Sequence, residues 1–96
     1  MNILIVDDEP SIIAALRPVL QAQGHSVATA ATAREALAQA GASAFDLVLL
    51  DLGLPDADGI EIIAKLKRLT SAVIVLFSAL SNLPITSALF SIWRSM

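Results

Sequence analysis

The chain has 96 residues, nine acids, six lysines or arginines and a formal net charge of −3. A chain this short makes one domain at most. Its composition, 56% hydrophobic and 16% charged, excludes disorder, which needs low hydrophobicity and high net charge. There is no cysteine, so disulfides and thiol chemistry are excluded. All nine acids and every base except Arg94 fall within residues 1–68, and no basic stripe for nucleic acid results.

The N-terminal run Ile3-Leu4-Ile5-Val6 is a continuous apolar, β-branched stretch that suits a strand buried on both faces of a parallel sheet. It is too short for a signal peptide and has no basic flank, so a cytoplasmic protein is expected. Asp7, Asp8 and Glu9 end the run, and Pro10 fits the first turn of a helix, where its missing N–H is not needed. Ile12, Ile13, Leu16, Val19 and Leu20 repeat at helical spacing up to Gly24. Pro18 inside this helix predicts a kink, with a cost on the order of 3 kcal/mol. His25 is expected to be a solvated loop residue.

A second strand is predicted over residues 27–30. Thr32 and Glu35 form a capping-box pattern for a helix from Ala33 to Ala40, with Gly41 as its end. Leu47 to Leu50 is a third apolar run, closed by Asp51. Asp58 caps a helix from Gly59 to about Arg68, with Ile60, Ile63, Ala64 and Leu66 expected inward. Glu61, Lys65, Lys67 and Arg68 are expected outward, and Asp46 and Glu61 are read as surface acids. Residues 73–77 form a fourth apolar strand. The order β-α-β-α-β-α-β predicts a doubly wound α/β fold with a parallel sheet of four strands.

No charge lies between Arg68 and Arg94, but Thr70, Ser71, Ser78, Ser81, Asn82, Pro84, Thr86, Ser87 and Ser91 interrupt the stretch. A membrane span needs about 20 mostly apolar residues. A buried strand followed by a packed helix is therefore expected. Asn82 and Pro84 mark the helix start, and Ile85, Ala88, Leu89, Ile92 and Trp93 form its apolar face. This divides the chain into a core, residues 1–79, and a helical tail, residues 80–96.

In a doubly wound sheet, ligands bind outside the carboxyl ends of the strands, near the switch in strand order. Asp7 and Asp8 follow the first strand and Asp51 the third. If those strands are neighbours the carboxylates converge, and a cation is needed to offset their repulsion. Magnesium suits such a site, because it takes hard oxygen ligands and often binds one or two carboxylates plus phosphate. A carboxylate is also a nucleophile toward phosphorus, so Asp51 is a candidate to form an aspartyl phosphate. Ser78, at the end of the fourth strand, is placed to hydrogen-bond a phosphoryl oxygen.

Three segments carry a family resemblance. Ile5-Val6-Asp7-Asp8-Glu9-Pro10 resembles the start of a response-regulator receiver domain. Leu49 to Gly59 resembles that family's phosphorylation loop, and Val75 to Ala79 its fourth strand and switch hydroxyl. The resemblance runs from Asn2 to Ala79. It implies a flavodoxin-like sheet, with Asp51 as phosphoacceptor and with Asp8, Asp51 and the Gly53 carbonyl as magnesium ligands. Asp7 would hold the metal's waters, and Ser78 with the Ala79 N–H would bind the phosphoryl group. The implied donor is a phosphohistidine on a sensor histidine kinase, docking on the helix from Ser11 to Gln23.

The resemblance weakens after Ala79. The family pattern continues with a helix, a fifth strand ending in Lys-Pro, and a last helix. Here no lysine follows Lys67, Leu83-Pro84 is no substitute, and Phe90 does not match the context of the family's switch aromatic. A fourth strand without a fifth would be an open sheet edge, which predicts a homodimer by edge pairing or tail exchange. Two functions compete on these grounds. One is a phosphorylatable receiver; the other is a signalling-defective receiver that dimerises or occupies a kinase. An enzyme is disfavoured, since a phosphatase working through an aspartyl phosphate wants an acid two residues after the nucleophile, where Gly53 stands. Gly-rich nucleotide loops are also absent.

Overall fold

Side chains alternate between the two faces of a strand, so an apolar run without alternation has to be covered on both sides. The structure, a computed structural model, describes residues 1–77. Ser78, Ala79, the tail helix with its open-edge consequence, Phe90 and Arg94 lie outside those residues. In chain order the elements are β1 (Asn2–Val6), α1 (Pro10–Ala22), β2 (Ser26–Ala30), α2 (Ala33–Ala42), β3 (Leu47–Asp51), α3 (Gly59–Leu69) and β4 (Val73–Phe77). The four strands are parallel, in the order β2-β1-β3-β4. This is the doubly wound order expected, with its switch between β1 and β3.

The two faces of β1 and β3 divide by parity. Leu4, Val6, Val48 and Leu50 pack with Ala33, Ala36 and Ala40 of α2 and with Ile62 and Leu66 of α3. Ile3, Ile5, Leu47 and Leu49 pack on the other side with Leu16 and Leu20 of α1. Every one of these strand residues is buried. The alanine stripe of α2 lets that helix lie close to the sheet, while α1 and α3 present larger side chains.

Local signals set most boundaries. Pro10 occupies the first turn of α1, and Gly24 follows the helix with φ +89°, a backbone conformation that favours glycine. Thr32 Oγ1 accepts the Glu35 N–H at 3.1 Å, and the Glu35 carboxylate accepts the Ala31 N–H at 3.0 Å. The capping box is thus closed on the residue before the cap. Asp58 Oδ1 accepts the Ile60 N–H at 2.8 Å, which starts α3.

Several expectations are corrected. Gly41 does not end α2; the helix runs to Ala42, and the Ser43 N–H donates to the Gln39 carbonyl at 3.0 Å. Strand β2 begins at Ser26. As expected, Pro18 lies inside helix α1, with its side chain exposed. On α3 the inward stripe is Ile62 and Leu66, with Ile63 half-buried and Ala64 exposed. Ile60 is 80% exposed. The two isoleucines, two residues apart, point about 200° apart on a helix, so only one can face the sheet. His25 is half-buried, and its Nδ1 accepts from the Met1 ammonium at 2.9 Å. Asp46 is exposed but not idle: its carboxylate accepts the Asn2 N–H at 2.7 Å and ties the start of β1. Glu61 pairs with Lys65 at 3.1 Å on the outer face of α3.

The isoleucine correction is testable by urea denaturation. Ile62→Ala should destabilise the fold by roughly 2–5 kcal/mol. Ile60→Ala should stay within about 0.5 kcal/mol.

Candidate functional site

Register builds the site. Val6 of β1 pairs with Leu50 of β3, so the next residues on the two strands, Asp7 and Asp51, emerge side by side. The Asp7 N–H donates to the Ala30 carbonyl at 3.0 Å, which fixes the end of β1 against β2 as well. Asp7 and Asp51 are the two buried charged residues in the described core, at 0% and 2% exposure, while Asp8 is exposed. The three carboxylates each offer an oxygen, and these oxygens all lie within 4.8 Å of one another.

Backbone donors occupy part of this oxygen set. Asp7 Oδ1 accepts the Glu9 N–H at 2.8 Å, and Asp51 Oδ1 accepts the Gly53 N–H at 2.9 Å. Asp7 Oδ2 is buried without a hydrogen-bond partner. Burial raises the Asp7 carboxyl to about 6, assisted by the negative charges of Asp51 and Asp8 and opposed by the Glu9 N–H. An orphaned, buried carboxylate oxygen facing two other carboxylates is a position that wants positive charge. Oxygens on one magnesium ion, bound at about 2.1 Å, stand at most about 4.2 Å apart. The oxygens of the donor set, within 4.8 Å of one another, lie close to that span, so the set suits such an ion in charge and spacing, and exposed Asp8 leaves the site open to solvent.

A groove of about 300 Å³ adjoins the acids, lined by Asp7, Asp8, Pro10, Ile13, Ala14 and Arg17. The sequence reading assigned Arg17 no place; its Nε is buried here without a partner. It also missed Asp56 of the loop after β3. The Asp56 carboxylate accepts the N–H groups of Ala33 and Arg34 at 2.9 and 3.2 Å. No local pattern signals that bond, because its partners lie on another element.

Comparison with known proteins agrees with the fold. Residues 3–92 match the family described as the response regulator receiver domain, a match that continues past Ala79, where the motifs stop. The transcriptional regulatory protein KdpE of Mycobacterium tuberculosis is 43% identical over 77 residues, covering 80% of this chain and 34% of the relative. A CheY-like receiver domain protein from Methanospirillum hungatei superposes with a TM-score of 0.78 at 34% identity, over 95% of this chain and 72% of that one. The response regulator TrrA of Thermotoga maritima, solved in complex with Mg(2+)-BeF, superposes with a TM-score of 0.75 at 36% identity, over 84% and 71% of the two chains. TrrA was also solved in complex with the histidine kinase ThkA; that structure gives 0.75 at 34% identity, over 91% and 78%. The chain belongs to the response-regulator receiver domain family. It spans about a third of the length of the curated relatives it matches. No helix among the described residues is long and apolar enough to cross a membrane.

The raised Asp7 carboxyl gives a signed pH dependence. A group bound more tightly to its proton in the folded state stabilises the fold most when that proton is present. Asp7 therefore favours folding below its ordinary value of 3.8, and this contribution declines until the pH passes about 6. Without divalent cation, Asp7→Asn should gain on the order of 1–3 kcal/mol at pH 7.5 and flatten the decline. Denaturant melts across pH 4–8 check this, and magnesium should restore stability to the native chain at pH 7.5 far more than to the variant.

Proposed function

We propose that this chain is the receiver of a two-component phosphorelay, accepting a phosphoryl group on Asp51 from a phosphohistidine of a sensor histidine kinase. The observation that carries the reading is the convergence of Asp7, Asp8 and Asp51, with the Asp51 carboxylate oriented by the Gly53 N–H. Because Oδ1 is engaged by that N–H, Oδ2 is the oxygen free to attack phosphorus. The P–N bond to the donor imidazole breaks as the P–O bond to Asp51 forms, and the imidazole leaves with its electron pair and takes up a proton. The product is a mixed anhydride of carboxylate and phosphate. When bound, a magnesium ion would supply the positive charge that brings carboxylate and phosphoryl oxygens together.

Asp8 and Asp51 would hold the ion with their side chains and Gly53 with its carbonyl, while Asp7 would hold the ion's waters. Ser78 and the Ala79 N–H would bind the phosphoryl oxygens. The Mg(2+)-BeF complex and the kinase complex of TrrA support this ligand and donor chemistry. In this reading the core, residues 1–79, is a cytoplasmic signalling module that promotes its own modification and is not a classical enzyme. Helix α1 would receive the kinase.

Incubation with acetyl phosphate and magnesium, followed by intact mass, tests the proposal. The native chain should gain one phosphoryl group, and Asp51→Ala should gain none. An unmodified native chain that still binds magnesium would sink the reading.

A second reading is favoured by one observation: β4 leaves Val73 and Leu76 55% and 45% exposed. In it the chain pairs with a second copy, or occupies a kinase, without transmitting a signal. Sedimentation at high concentration should then show a dimer that Leu76→Lys reduces to monomer, whereas a native chain that stays monomeric rules pairing out.

A further inference from the structure

The loop between β3 and α3, residues 52–58, carries the groups next to Asp51, and something must hold it. Its ends are fixed: Gly53 donates to Asp51, and Asp58 caps α3. Leu54 is buried at 6% exposure. Between them Asp56 reaches away from its own loop. Oδ1 accepts the Ala33 N–H at 2.9 Å and Oδ2 the Arg34 N–H at 3.2 Å. These are two of the first-turn amides of α2, which have no partner inside their own helix. The third, on Glu35, is taken by Thr32, and the Ala36 N–H donates to the Thr32 carbonyl at 3.1 Å. Helix α2 is therefore already capped from within, and Asp56 adds a bridge from a different element.

We propose that Asp56 is a positioning residue for the acidic site, clamping the loop that carries Gly53 to the N-terminus of α2. The inference rests on the receiver reading but has its own test. Among the described residues, the Asp56 carboxylate bonds to Ala33 and Arg34, and no hydrogen bond joins it to Asp51, Asp7 or Asp8. It acts through the loop: the same backbone segment that orients Asp51 Oδ1 is tied, three residues on, to a helix packed against the sheet. The Ala33 N–H, with the Arg34 N–H and guanidinium, holds the Asp56 carboxyl below its ordinary range, so the bridge is charged at neutral pH. Asn in its place keeps one acceptor oxygen but turns an amide NH₂ toward the second N–H. Ala keeps neither.

The test compares the full chain with Asp56→Ala, Asp56→Asn and Thr32→Ala. Thr32→Ala weakens the same helix terminus without freeing the loop. Magnesium affinity by calorimetry and labelling rate with acetyl phosphate are read alongside melting temperature. Asp56→Ala should weaken magnesium binding about tenfold and slow labelling by a similar factor. Asp56→Asn should recover part of both, and Thr32→Ala should lower the melting temperature while leaving both unchanged. The clamp is overturned if Asp56→Ala leaves magnesium affinity intact, if Thr32→Ala shifts it equally, or if the native chain binds no magnesium. A native chain that binds magnesium but takes no phosphate removes the receiver reading, and the clamp then stands or falls on the affinities alone.

Discussion

The arrangement depends on one electrostatic conflict at the seam between β1 and β3. Parallel pairing in register sets Asp7 against Asp51 where both are buried, and Asp8 adds a third negative charge at the rim. A burial of like charges is unfavourable unless a cation or a proton offsets it. Asp7 reports the conflict directly, with a carboxyl raised to about 6 and one oxygen left without a partner. A fold selected for stability alone would place an apolar or hydrogen-bonded residue there. The receiver family accepts that loss because the same geometry gathers magnesium and phosphate.

The rest of the molecule makes this loss tolerable. The strands that carry Asp7 and Asp51 are the two central ones, covered by α1 on one face and by α2 and α3 on the other. Ile3, Leu4, Ile5 and Val6 are fully buried, as are Val48, Leu49 and Leu50. Each such side chain contributes on the order of 1.5–3 kcal/mol of burial free energy. The acids are thus appended to the two strands buried on both faces, whose packing opposes any spreading that would relieve their repulsion. Rigidity at the strand ends keeps the three carboxylates together.

Much of this was legible in the sequence, for reasons that differ by residue. Continuous apolar runs ending in acids identified β1 and β3, because burial on both faces leaves no polar position. Asp58 and Thr32 announced helix starts, because a cap bonds two or three residues away. What failed was anything decided by packing across the chain. Ile60 and Ile62 are equal in hydropathy, and only the angle at which α3 meets the sheet chooses Ile62. Gly41 looked like a stop, but nothing requires a positive φ there, and the helix passes through it. The bridge from Asp56 spans 23 residues to Ala33, so no periodicity could show it. His25 was read as solvated because its partner, the Met1 ammonium, is distant in sequence and adjacent only once β1 and β2 pair.

Asp51 has two oxygens, and the Gly53 N–H takes one of them. That bond restrains the rotation of the carboxylate and leaves the other oxygen outside that contact. An effective nucleophile needs its direction of attack held to within a small angle, and displacement of even about 1 Å can be expensive in rate. The strand alone does not provide this, since Gly53 lies beyond the end of β3, in the loop of residues 52–58. Sheet burial positions Asp51 itself; the fixation of residues 52–58 orients its carboxylate. Leu54 supplies an apolar anchor, Asp58 a bond to the helix that follows, and Asp56 a bond to the helix before. The precision of the site is therefore a property of the loop's three attachments as much as of the acids themselves.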